Sequence, residues 1–246
     1  MEFTYKSLKA LVDLLDISGY CISDYHTWQK TDKCVILRHD IDYDISKSVD
    51  LAYFEKEIGV NSTYFVLLTS DFYNVFSKSS CEKLKCIISC GHEIGLHFDE
   101  VRYPELVGNI DKLREKIIKE CELLEEAVGQ KISTISMHRP SKTILEANLQ
   151  IPGIINSYGN DYFKGFKYIS DSRRNWREPV EEIIKSRLYN RLHILTHAFW
   201  YSDVEKDIHS SISEFVNNAL MDRYTSLEEN ITNLGSIMDI NEITRK

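Results

Sequence analysis

Short apolar runs recur along this chain, and several end within two residues of a histidine or an aspartate. Val35-Ile36-Leu37 leads into Arg38-His39-Asp40-Ile41-Asp42. Similar runs, rich in residues that suit sheets, follow at Ser62–Leu68, Glu93–His97, Lys131–Met137, Ile154–Asn156, Lys167–Ile169 and His193–Thr196. Most are separated by segments of helical periodicity: Thr4 to about Leu15, Ser46 to about Ile58, Asn109 to about Val128, and Arg177–Leu188. A further helix is opened by the capping-box pattern Ser79-x-x-Glu82 and stopped by Gly91, while Gly59 and Gly129 stand where a left-handed residue closes a helix. Seven strands alternating with helices predict an α/β fold with a parallel barrel rather than a sandwich. No composition shift or repeat marks an internal boundary. The 246 residues are expected to form one domain, with a motif-bearing core over about 33–202 and a helical tail over 203–246.

Composition excludes several classes. A formal charge of −8, with no Lys or Arg run longer than Arg173-Arg174, argues against a nucleic-acid surface. No stretch approaches the ~18 apolar residues of a membrane span. The first ten residues lack a basic segment followed by an apolar one, so a secretory signal is not expected. The six cysteines (21, 34, 81, 86, 90, 121) form no Cys-x-x-Cys pair and read as small buried hydrophobes of a reduced, cytoplasmic chain.

In parallel α/β folds chemistry gathers where strands end. The residues just past the apolar runs are His39, Asp40 and Asp42, then His97, Asp99 and Glu100, then His138 and Arg139, then Asp171, then His197. Asp40 and Asp42 are two apart, so on an extended chain both can face one cavity. Two such carboxylates repel unless a cation or a shared proton relieves them. A solvated acidic turn is the alternative for that pair alone. Histidines recurring at other strand ends favour a divalent ion, because imidazole and carboxylate are the usual donors of catalytic sites with an open position.

The motifs themselves resemble a known family. Gly91-His92-Glu93-Ile94-Gly95-Leu96-His97 is similar to the second motif of the polysaccharide deacetylase superfamily (carbohydrate esterase family four). Asp40-Ile41-Asp42 resembles its paired-aspartate first motif, with one extra residue between the acids. Arg139-Pro140, Asp171 with Trp176, and Leu195-Thr196-His197 resemble its third, fourth and fifth. The resemblance runs from about residue 35 to about residue 200. It is nearest to a branch associated with bacterial surface-polysaccharide synthesis, whose members read similarly at His-Phe-Asp, His-Arg-Pro-Ser and Tyr-Ile-Ser-Asp-Ser.

The resemblance implies a distorted barrel of about seven β/α units and a divalent metal, zinc before others. The reaction it implies is removal of an acetyl group from a sugar. Asp42 and His97 would be metal ligands. The family's second histidine, four residues on, is here Val101, which cannot bind metal. The third ligand must come from elsewhere: His138 is favoured, with Asp99 or Glu100 as alternatives. Asp40 would be the general base, Arg139 would hold Asp40 ionised, and His197 would be the general acid. Asp171 would fix the orientation of Arg139 or His197, or face the substrate. Tyr158, Trp176 and Trp200 are candidate sugar-stacking surfaces, with packing in the core or rim as the competing reading. The expected substrate is an acetylated amino sugar, nucleotide- or lipid-linked. A related barrel hydrolase of another C–N bond, or a non-catalytic member binding a glycan or a partner, are the other readings.

Overall fold

The computed structural model describes residues 1–106 and 108–243. Its strands are β1 (Cys21–Ser23), β2 (Cys34–Ile41), β3 (Thr63–Val66), β4 (Glu93–Phe98), β5 (Thr134–Met137), β6 (Ile155–Asn156), β7 (Lys167–Ser170) and β8 (Arg191–Thr196). Every pairing between them is parallel, in the order β6-β5-β4-β3-β2-β8-β7. The two ends of that path, β6 and β7, are not paired among the described residues, so the sheet curls into an open, distorted barrel. The expected seven runs are β2 to β8. The short β1 extends the sheet beside the first half of β2, leaving the second half to β3. Its Cys-Ile-Ser is too brief to show a period.

Helices cover the outside: α1 (Tyr5–Ile17), α2 (Ile45–Glu57), α3 (Lys78–Ser89), α4 (Ile110–Val128), α5 (Lys142–Ala147), α6 (Asn160–Phe163) and α7 (Val180–Ser186). Asn109 caps α4 and Gly129, at φ 73°, closes it. Two expectations shift. α3 is capped by Ser77, whose side chain accepts from the Ser80 amide, so the box from Ser79 does not form. The segment Arg177–Leu188 is helical only within α7, because Pro179 keeps the residue before it out of the helical region and Arg187 turns left-handed at φ 54°. These elements belong to one compact unit, Met1–Asp203; a second unit begins at Val204 and carries α8 (Ile208–Glu228) and α9 (Leu234–Ile237). Among the described residues no helix is long and apolar enough to cross a membrane.

All eight residues of β2 are buried, as expected of a strand covered on both faces. Cys34 and Ile36 join the cluster inside the barrel with Tyr25, Trp28, Phe65, Tyr162 and Phe166. Val35, Leu37 and Ile41 join the larger layer beneath the helices. Strand alternation therefore turns Arg38 and Asp40 inward and His39 outward. His39 binds Glu55 of α2 at 2.8 Å and Thr196 of β8 at 2.5 Å, locking this strand to its neighbours. On β4 the inward Gly95 leaves room for the Phe65 ring. A Cβ there would lie 2.5 Å from that ring and 2.8 Å from the Thr134 carbonyl oxygen.

Candidate metal centre

Three strands of the sheet, β2, β4 and β5, deliver the centre, with β3 lying between the first two. β2 carries Asp40 and, just past its end, Asp42. β4 carries His97 near its own end. The β4–β5 register pairs His97 with Ser136 and Phe98 with Met137, and the His138 amide then donates to the Phe98 carbonyl at 2.9 Å. That ladder brings the His138 ring beside His97, with Nδ1 and Nε2 3.0 Å apart. Asp42 Oδ1 lies 3.4 Å from His97 Nε2 and 3.3 Å from His138 Nδ1.

The three atoms fit one divalent ion. Ligand bonds of about 2.0–2.1 Å at tetrahedral angles place neighbouring ligand atoms roughly 3.3 Å apart, close to the spacings seen. Asp42 Oδ1 is buried and makes no well-aligned hydrogen bond to either imidazole, so the group is not satisfied by itself. No other cluster of this kind occurs among the described residues. Burial pushes the Asp42 carboxyl up, but His138 and His97 more than offset this and hold it well below the usual carboxylate range.

The loops after β7 and β8 close the other side. Asp171, fully buried, accepts from His197 Nδ1 at 2.6 Å and from the His197 amide at 3.1 Å, leaving Nε2 3.7 Å from Asp42 Oδ2. Burial alone would push His197 down. Asp171 first, then Asp42 and Asp40, outweigh it and raise the ring to about 9. Asp40 is buried with Oδ2 3.4 Å from His97 Nε2. Burial raises its carboxyl, and Arg38, followed by His97 and His197, brings it below its ordinary value.

Several expected site residues stand elsewhere. Arg139 does not reach Asp40. Successive side chains past β5 point to opposite sides, so with His138 turned to the centre, Arg139 lies on the rim, 55% exposed, and its guanidinium donates to Asp99. Asp40 is instead paired with Arg38 of its own strand, Nη2 to Oδ2, at 2.8 Å. Both alternative third ligands are engaged away from the centre. Asp99 holds Arg139, and Glu100 accepts from the amide and hydroxyl of Ser141 at the start of α5. Asp171 is fully buried against His197.

Of the proposed stacking residues, Trp200 is 9% exposed and packs in the outer core with Phe199 against it. Trp176 is half-buried against the same core. Tyr158 is half-buried, with its ring 5.3 Å from the Arg38 guanidinium carbon. The aromatic residues at the rim are ones that motif reading passed over. Tyr43, next to Asp42, meets Phe199 at 5.0 Å and Phe72 at 5.4 Å between ring centres. Adjacency to Asp42 and His197 in sequence was the available signal. For Arg38 the signal was its two-residue spacing from Asp40.

Neither a protein-family model nor a curated protein matches the sequence. Solved structures do. A CE4 esterase from Streptococcus mutans has a TM-score of 0.50 at 19% identity, covering 85% of this chain and 89% of that one. A family 4 carbohydrate esterase from Bacillus anthracis has a TM-score of 0.44 at 19% identity, with 84% and 83% covered. A CE4 family pseudoenzyme from the same organism has a TM-score of 0.45 at 16% identity over 76% of this chain, which spans 62% of that protein's length. The chain has the fold of the family 4 carbohydrate esterases.

Proposed function

We propose that this protein is a metal-dependent carbohydrate deacetylase of that family, acting on an N-acetylated amino sugar during synthesis of a bacterial surface polysaccharide such as O-antigen or capsule. The observation that carries the reading is the meeting of three metal-type donors, Asp42, His97 and His138, with an acid–base pair on either side. Zinc suits a two-imidazole, one-carboxylate set better than magnesium or calcium. Such an ion supplies polarisation of the acyl oxygen and a water of lowered pKa.

The chain's own residues do the proton work. Asp40 Oδ1 is buried and has no hydrogen-bond partner, and on this reading it takes a proton from the attacking water. The water oxygen bonds to the acyl carbon, the C–N bond breaks, and His197 Nε2 gives a proton to the departing sugar nitrogen. Asp171 keeps the His197 ring turned for that transfer, as the carboxylate does in other histidine-based sites. The rim aromatics Tyr43, Phe72 and Phe199 offer the apolar face a sugar ring stacks on. All six cysteines are free, which fits a reducing compartment and a substrate still joined to its nucleotide or lipid carrier.

A non-catalytic member is favoured by one observation, Val101 in place of the family's second histidine, 56% exposed and away from the centre. Bound zinc measured by elemental analysis separates the two. Stoichiometric zinc in the wild type, lost in both His97→Ala and His138→Ala, supports the rebuilt centre. A wild type that takes up no divalent ion refutes the enzyme reading.

A further inference from the structure

Two carboxylates compete for one centre. Asp40 Oδ2 and Asp42 Oδ1 both lie 3.4 Å from His97 Nε2. Distance to that ligand therefore does not decide which acid binds the ion. Their partners differ. Among the described residues the ion-pair partners of Asp42 are imidazoles, whereas Asp40 is also tied to Arg38.

Arg38 has the features of a fixed restraint. It is fully buried at the middle of β2. Nη2 donates to Asp40 Oδ2 at 2.8 Å and Nη1 donates to Ser157 Oγ at 3.0 Å. The Phe65 and Tyr158 rings lie 5.1 and 5.3 Å from the guanidinium carbon. A planar cation held at two corners and packed by two rings has little freedom to swing away. Its grip is on Oδ2, the Asp40 oxygen near His97, while Oδ1 stays buried and unpartnered.

We propose that Arg38 assigns the two aspartates their separate roles: by holding Oδ2 it keeps Asp40 off the metal and leaves Oδ1 as the proton acceptor, so that Asp42 alone supplies the carboxylate ligand. Arg38 is thus a positioning residue acting through Asp40. The proposal rests on the metal-dependent reading above, and it needs no arginine from the strand that supplies His138. Arg139 is thereby left to the rim.

Cobalt(II) is the probe, because its visible absorption weakens and shifts when coordination number rises above four. The test compares wild type, Asp40→Asn, Arg38→Met and the double variant Arg38→Met/Asp40→Asn. Wild type and Asp40→Asn are expected to bind cobalt stoichiometrically with the same spectrum. In Arg38→Met the released Asp40 joins the ion, and the band loses intensity and shifts. The double variant, lacking the competing carboxylate, returns to the wild-type spectrum. A wild-type spectrum in Arg38→Met overturns the proposal while leaving the metal site standing. An altered spectrum in Asp40→Asn also overturns it, and this arm decides even where Arg38→Met does not fold. Absence of cobalt binding by the wild type overturns the metal reading itself.

Discussion

Lowering the pH from 7.5 to 5.5 should cost this fold stability through His193, a residue with no part in the candidate chemistry. Its side chain points into the barrel from β8, is 1% exposed, and shares a 2.6 Å hydrogen bond with the buried Tyr25 hydroxyl. Burial first, and the nearby Arg38 second, push the imidazole well below its ordinary value of 6.5. A depressed histidine pKa means that the unfolded chain takes up a proton which the folded chain refuses. The stability is complete above about 6.5 and is lost as pH falls toward the folded-state value. With the unfolded histidine at about 6.5, the ratio of its proton-binding terms at pH 5.5 and 7.5 is about tenfold, so the loss is roughly 1.4 kcal/mol.

Other groups titrate over the same range. His92 is pushed down by burial and works in the same direction. His197, raised to about 9, contributes stability that is complete below 6.5 and lost as pH rises through 9. A difference measurement removes both. His193→Gln keeps a polar partner for Tyr25 and cannot titrate, so urea unfolding of the two proteins with chelator present isolates the His193 contribution. The gap between wild type and variant should shrink by about 1.4 kcal/mol between pH 7.5 and 5.5. Parallel stability curves would refute the assignment of a neutral, uncompensated histidine to the barrel interior.

Gly95→Ala should lower thermal stability by about 1–3 kcal/mol through overpacking, since the new methyl meets both a ring and a backbone oxygen. A thermal shift within error of wild type would show that Phe65 has room to retreat. Asp171→Asn should leave metal content unchanged and cut turnover by roughly 100-fold or more, the scale of a misdirected general acid. Loss of metal together with turnover would instead make Asp171 a support of the centre itself.

The barrel was legible because each strand carries its signal locally. A strand covered on both faces reads as an unbroken apolar run, and β2 to β8 are such runs or fragments of them. Strand-end reading also singled out Asp42, His97 and His138, whose donor atoms the structure brings together, because the rim of a parallel sheet is set by topology rather than by sequence distance. The arginine beside Asp40 was not legible for a different reason. Arg139 stands in the motif that the family resemblance supplies, whereas Arg38 is hidden inside an apolar strand where charge is unexpected. Strand alternation alone, counted back two residues from Asp40, would have put Arg38 on the same face. Trp200 shows the opposite limit. An aromatic residue near a site looks the same in sequence whether its ring faces sugar or core, and only packing decides.

The donors of the centre are contributed by segments far apart in the chain, with His97 and His138 separated by 41 residues. No peptide cut from this protein would hold the ion as a zinc-finger loop does. On the metal-dependent reading proposed above, capture would await the pairing of β4 with β5, and a slip of one residue in that pairing would turn His138 away from His97. Metal uptake during refolding would then be a clock for strand registration, reporting the moment when the sheet has found its native alignment.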